Sequence, residues 1–137
     1  MATNGCFDIL HRGHVEYLHT ARSFGDALIV GLNSDASVRE LKGEGRPVND
    51  EYARALVLAG FYFVDAVVVF DSLRCDTLLD AVRPDIYVKG GDYDLSTMDP
   101  GERAVLERVG ARIEFVDFVP GFSTTGTIGK MSAGEKK

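Results

Sequence analysis

The chain is short of the residues that staple small folds, that bind polyanions and that cross membranes. Only Cys6 and Cys75 are cysteine among its 137 residues, too few for a disulfide framework. Asp and Glu outnumber Lys and Arg by 21 to 15, a formal net charge of -6. That balance argues against a general nucleic-acid binder, which usually presents a basic face. No apolar run reaches membrane length and no signal-peptide pattern opens the chain, so the expected home is the reducing cytoplasm, away from membranes. Repeats and low-complexity segments are absent. Neither Gly-x-x-x-x-Gly-Lys-Ser/Thr nor Gly-x-Gly-x-x-Gly after a strand occurs, which removes the main support for a P-loop kinase or a dinucleotide oxidoreductase.

What is present is an ordinary globular composition, 45% apolar and 26% charged. Its length suits one domain that buries roughly two-thirds of its unfolded surface. We expect that domain over residues 1–131, with a disordered tail over 132–137. The organising stretch is Thr3-Asn4-Gly5-Cys6-Phe7-Asp8-Ile9-Leu10-His11-Arg12-Gly13-His14. It reads as a short strand, a break at Gly5, and a helix whose apolar stripe is Val15, Leu18, Ala21 and the stem of Arg22. His11 and His14 then stand at the helix start, where unpaired backbone N–H groups and the positive dipole end suit a phosphate. Gly13, without a side chain, lets an anion come close. Cys6, His11 and His14 do not make a convincing zinc set, because no further Cys or His at ligand spacing completes it.

Strands are expected over 2–7, 27–32, 64–70, 86–88 and 112–118, alternating with helices over 13–24, 36–41, from Asp50 onward, 73–82 and 102–109. In the helix after Asp50, Ala53, Leu56, Val57 and Gly60 would face inward. Ser34 or Asp35 can cap the second helix, Gly25 and Gly110 supply C-terminal stops, and Pro84 breaks the fourth helix. A short helix should open at 122–125. This alternation predicts an α/β fold: a doubly wound, parallel, five-stranded sheet with helices on both faces. Ligands of such sheets sit beyond the carboxyl ends of the strands. Asp8 to His14, Asn33 to Asp35, Lys42 to Arg46, Asp71 to Asp76, Lys89 to Tyr93 and Ser123 to Thr125 all fall there, which argues for one composite site. Ser123, Thr124 and Thr125 could cradle the outer phosphates of a triphosphate or simply cap a helix. Lys42 and Arg46 in the glycine-rich loop, and Arg54 after it, are candidate phosphate contacts. Gly90 and Gly91 would admit a flat base.

Gly5-Cys6-Phe7-Asp8-Ile9-Leu10-His11-Arg12-Gly13-His14 resembles the signature of the cytidylyltransferase-like nucleotidyltransferases. Phe122-Ser123-Thr124-Thr125 resembles their second motif, usually Ile-Ser-Thr-Thr. Within the family, Asn33-Ser34-Asp35, Gly45-Arg46-Pro47-Val48-Asn49 and Val88-Lys89-Gly90-Gly91-Asp92-Tyr93 look like the heptose 1-phosphate adenylyltransferase (ADP-heptose synthase) branch. The resemblance runs from about residue 3 to 131. It implies transfer of AMP from ATP, assisted by Mg²⁺, to a sugar 1-phosphate, D-glycero-D-manno-heptose 1-phosphate in that branch. Pyrophosphate would leave, and the ADP-heptose would feed bacterial lipopolysaccharide or other surface polysaccharide. His11, His14 and Lys42 would be catalytic. Gly5, Cys6, Phe7, Gly13, His14, Gly90, Gly91, Ser123, Thr124 and Thr125 would bind the nucleotide. Asp8, Asn33, Asp35, Lys42, Arg46 and Arg54 would bind the acceptor, with Asp8 near it or near the metal.

Three departures accompany the resemblance, one of them the loop Asp71-Ser72-Leu73-Arg74-Cys75-Asp76, which differs from the heptose enzymes and bears on the acceptor sugar. The apolar residues usual before Thr3 are missing, so the first strand reads as truncated. The apolar stretch Phe118 to Pro120 stands where the glycerol-phosphate branch carries an arginine, which weakens a glycerol 3-phosphate assignment. Some relatives carry a fused sugar kinase, for which this chain has no room, so a separate kinase is expected to supply the substrate. The family also implies a homodimer, with Phe61-Tyr62-Phe63 either in its interface or in the core. The rival readings are a cytidylyltransferase acting on a polyol phosphate such as glycerol 3-phosphate, and a nucleotide-binding module without chemistry.

Overall fold

Five strands pair in the order β3-β2-β1-β4-β5, every pair parallel. The structure is a computed structural model and describes residues 1–71, 75–90, 95–117 and 128. In chain order its elements are β1 (Ala2–Gly5), α1 (Arg12–Ser23), β2 (Ile29–Asn33), α2 (Asp35–Lys42), α3 (Glu51–Ala59), β3 (Ala66–Phe70), α4 (Asp76–Val82), β4 (Ile86–Gly90), α5 (Pro100–Val109) and β5 (Arg112–Val116). The chain winds outward from β1 to β2 and β3, then crosses back to β4 and β5. Strand order therefore reverses between β1 and β4, and the crevice beyond their carboxyl ends is where such sheets take ligands.

Successive residues of a strand point to opposite faces, and β4 shows the result. Val88 joins Tyr17, Leu18 and Ala21 of α1, Val30 and Leu32 of β2 and Leu58 of α3 in one apolar cluster. Tyr87 joins Ala2, Leu79 of α4, and Val105 and Leu106 of α5 in another. Helices thus cover both faces, as the alternation predicts. On the α1 side Tyr17 is buried with its hydroxyl bonded to Thr3 Oγ1 at 2.8 Å and donating to the Val88 carbonyl at 3.1 Å. Gly31 lets α4 pack closely on the other side: a Cβ there would lie 2.3 Å from Leu78 Cδ2, which would have to move.

The caps fall where expected. Ser34 accepts from the Ser37 N–H, Asp50 from the Ala53 N–H, and Gly110 ends α5 at φ 75°. Helix α5 starts two residues before its expected limit because Asp99 caps it, accepting from the Glu102 N–H, and Pro100 fits the first turn. Strand β1 stops at Gly5, since Phe7 takes a left-handed φ of 46° that no strand accommodates. The expected helix at 122–125 and the tail at 132–137 lie outside the described residues.

Two apolar patterns resolve differently from the periodicity. In α3 the buried residues are Arg54 and Leu58, whereas Leu56 and Val57 are exposed. A guanidinium with four buried or half-buried acceptors turns that face inward against the apolar count. In α1, Val15 is at the surface and Tyr17 takes the inner position. The aromatic run also divides: Phe63 is core, Phe61 stacks on it at 5.2 Å, and Tyr62 stands exposed.

Candidate functional site

His11 is the N-cap of α1 and His14 its third residue, and the two rings close a reciprocal capping box. His11 Nδ1 accepts from the Gly13 N–H at 3.0 Å, and His14 Nδ1 accepts from the His11 N–H at 3.2 Å. The rings lie 4.0 Å apart, with the buried Phe7 ring 5.6 Å from His14. An imidazole whose Nδ1 accepts must carry its proton on Nε2 when neutral. Burial, and then the proximity of His11, lower the His14 pKa to about 4. Burial lowers that of His11 as well. Near neutral pH the corner therefore holds two neutral rings in one tautomer, each a donor through Nε2–H.

This refines the expectation of open backbone donors at the helix start. The Gly13 N–H is taken by the His11 ring, and the His14 N–H by the His11 carbonyl at 3.0 Å. The ring nitrogens replace them as the donors a phosphate would meet. Gly13 is buried beneath, and Gly5 leaves room for the Phe7 ring, which would lie 2.9 Å from a Cβ.

Asp8 and Arg54 take other roles than direct acceptor contacts. The Asp8 side chain is fully buried and accepts from Arg46 Nε at 3.0 Å, the Val48 N–H at 2.7 Å and the Asn49 N–H at 2.8 Å. Asn49 Nδ2 donates back to the Asp8 carbonyl at 2.9 Å. Both carboxylate oxygens thus pin the loop after α2 to the turn after β1. Arg54, 1% exposed, donates to the carbonyls of Asn49, Cys6 and Asn33 and to Asp35 Oδ1, at 2.8 to 2.9 Å. It ties the ends of β1 and β2 to the same loop. Asn33 and Asp35 are accordingly part of this clamp, with Asn33 Nδ2 also 3.3 Å from Ser37 Oγ.

Burial works to raise the Asp8 pKa, but the N–H groups of Asn49 and Val48 and the Arg46 guanidinium outweigh it and hold it below the usual carboxylate value. Because the unfolded chain, at about 3.9, binds the proton first, this carboxylate stabilises the fold above that pH. The contribution is lost as pH falls through the lower native value. Denaturant titrations between pH 3 and 7 are expected to show wild type losing more stability on acidification than Asp8→Asn. A constant gap between the two would exclude the latch.

Lys42 ends α2, is exposed, and forms no hydrogen bond or ion pair with a described residue. Cys6, half-buried, has its thiol pKa raised by burial first, with the cations of Lys42, Arg54 and Arg46 opposing. Those three charges therefore act on the turn after β1. Gly90 is buried at the end of β4, beside that turn. Gly91, Ser123, Thr124 and Thr125 lie outside the described residues. Among the described residues no three His, Cys, Asp or Glu side chains gather to hold a metal ion, and Asp8 is occupied. The described donor set does not by itself build a Mg²⁺ site.

Sequence reading missed Asn49 and Glu102. Asn49 sits in a quoted motif but gave no sign of bonding to Asp8. Glu102, three residues after the Asp99 cap, has the spacing of an exposed first-turn carboxylate yet is 5% exposed.

Comparison with known proteins decides the family: the cytidylyltransferase-like profile matches residues 2–125. The chain belongs to the cytidylyltransferase-like family. By that membership it is a nucleotidyltransferase enzyme, and the histidine pair is the corner of the fold that carries the family signature. The chain is 58% identical over 132 residues to the bifunctional protein HldE of Mesorhizobium japonicum, covering 96% of this chain and 26% of that protein. It is 53% identical over 129 residues to HldE of Campylobacter jejuni, covering 94% and 27%. It thus spans about a quarter of the length of these curated relatives. Among solved structures, a lipopolysaccharide core biosynthesis protein from Thermoplasma volcanium superposes with a TM-score of 0.69 at 27% identity, over 86% of this chain and 93% of that one. Among the described residues no helix is long and apolar enough to cross a membrane.

Proposed function

We propose that this domain transfers AMP from ATP to a sugar 1-phosphate, D-glycero-D-manno-heptose 1-phosphate, releasing pyrophosphate and forming ADP-heptose for bacterial surface polysaccharide. The observation that carries it is the pair of neutral, Nε2–H-donating rings of His11 and His14 at the start of α1, beside the crevice between β1 and β4. The high identity to HldE proteins over nearly all of this chain supports the choice of acceptor, as do the motifs resembling the heptose branch.

The acceptor phosphate is already an anion, so no enzyme nucleophile is required. An acceptor oxygen attacks the α-phosphorus as the bond to pyrophosphate breaks on the opposite side. The protein's task is to hold two anions together and stabilise the charge that develops. His11 and His14 donate to the phosphoryl oxygens. Lys42, at the exposed end of α2, and the outer nitrogens of Arg46, whose Nε is held by Asp8, offset the repulsion between substrates. Asp8 and Arg54 hold that loop in place. Gly90 and Gly91 admit the base, and Ser123, Thr124 and Thr125 receive the outer phosphates. Mg²⁺ enters with the triphosphate as part of the substrate, since it usually binds through phosphates and few protein ligands. A sugar kinase reaction must supply the 1-phosphate. A homodimer belongs to the same reading, with Tyr62 the surface residue of its aromatic run.

Pyrophosphate release from ATP and from CTP, each with heptose 1-phosphate and with glycerol 3-phosphate, tests the assignment. ATP with the heptose phosphate is expected to exceed the other pairs by at least about tenfold. CTP with glycerol 3-phosphate in the lead would replace it. Nucleotide binding without release from any pair would leave a binding module.

A further inference from the structure

The α4–α5 face of the sheet carries a polar cluster that the phosphate corner does not use. Ala2 of β1 pairs with Tyr87 of β4, so Asn4 lies level with Lys89, one residue before the signature turn at Gly5. Glu102 reaches in from α5 and Cys75 from the cap of α4. Glu102 Oε1 accepts from Cys75 Sγ at 2.8 Å and lies 3.3 Å from the Tyr87 hydroxyl oxygen, and its Oε2 lies 3.3 Å from Lys89 Nζ. The Tyr87 hydroxyl donates to Asn4 Oδ1. Burial is the first cause that raises the pKa values of the Cys75 thiol and the Tyr87 phenol. Both keep their protons: the thiol donates to the carboxylate, the phenol to Asn4.

Stability alone does not call for such a cluster. Apolar side chains of similar volume in place of a buried ion pair are often neutral or better. Its position offers a reason: it underlies the carboxyl ends of β1 and β4, across the crevice from α1. Lys89, with 15% of its side chain exposed against 6% for Glu102, is the charged member nearer the opening. Among the described residues its ammonium is paired with one carboxylate, and an ammonium so paired suits uncharged hydroxyls better than a further anion. Anions already have their place at the histidines.

We infer that Lys89 binds hydroxyl groups on the ring of the acceptor and that Glu102 is the positioning residue that aims it. The inference rests on the acceptor being a sugar phosphate, as proposed above. Heptose 1-phosphate is titrated calorimetrically into the full chain saturated with a non-hydrolysable ATP analogue, for wild type, Lys89→Met and Glu102→Gln. Lys89→Met is expected to weaken sugar phosphate binding about ten- to a hundredfold, the usual range for one charge-assisted hydrogen bond. Glu102→Gln should lose part of that, with affinity for the ATP analogue within about twofold of wild type in both. Lys89→Gln keeps a hydrogen bond to Glu102, folds as a check on packing, and is expected to lose affinity in the same direction.

Unchanged sugar phosphate affinity in the Lys89 variants, an equal loss for the nucleotide, or a wild type that binds no sugar phosphate would each overturn the inference. Binding by wild type without pyrophosphate release would sink the transfer reaction instead and leave Lys89 in place. Transfer at full acceptor affinity in Lys89→Met would sink this inference alone.

Discussion

His14→Ala is expected to lower turnover about a hundred- to a thousandfold, the usual loss when one preorganised donor to a developing oxyanion is removed. The same substitution removes half of the capping box, because His14 Nδ1 accepts from the His11 N–H. A lost cap costs about 1 kcal/mol, so melting should fall by only a few degrees and the fold should survive. The two losses can be separated. His14→Gln offers a side-chain oxygen that reaches back to the N-cap, as in the usual capping box, but no ring Nε2–H. It should restore most of the melting temperature and little of the turnover. Recovery of both would reduce His14 to a helix cap. An NMR titration of the ligand-free protein should place its midpoint near 4, the ring being neutral above that pH. A midpoint at the ordinary histidine value of about 6.5 would mean a solvated ring and no fixed tautomer.

Arg54→Met is expected to destabilise the fold by about 3–5 kcal/mol, the range for breaking a buried, hydrogen-bonded charge by removing one partner. Methionine roughly fills the space but donates nothing. The carbonyls of Cys6, Asn33 and Asn49, and the Asp35 carboxylate, would be left without the guanidinium that now joins them. For a domain of this length that corresponds to a melting temperature lower by more than about 10 °C. Arg54→Lys should recover little, since one ammonium cannot address acceptors placed around a planar fork. A loss under about 1 kcal/mol in Arg54→Met would show that the clamp is incidental.

These two residues differ in how far the linear chain reveals them. The histidine corner is local: strand, turn and helix start follow one another within a dozen residues, and His-x-Gly-His states its own spacing. Helix caps such as Ser34, Asp50 and Gly110 are local for the same reason. The apolar run of β2 announces a strand buried on both faces, and alternation of elements announces the parallel sheet. Family membership was legible too, because the signature lies inside one such turn.

Arg54, Asp8 and Glu102 were not legible as what they are. Each is a charged side chain, and read singly a charge belongs to solvent or to a ligand. Arg54 instead bonds to carbonyls 21 and 48 residues away, and Asp8 to amides 40 and 41 residues away. Lys89 and Glu102 meet only because α5 packs against the face of β4 that Tyr87 and Lys89 share. By itself the sequence determined the elements, their winding and the place of the histidine pair at the start of α1, since periodicity, caps and turns act over a few residues. Only the tertiary structure decided which charges are bound inside: a buried ion is stable where several distant backbone groups converge on it, and that convergence exists only in three dimensions.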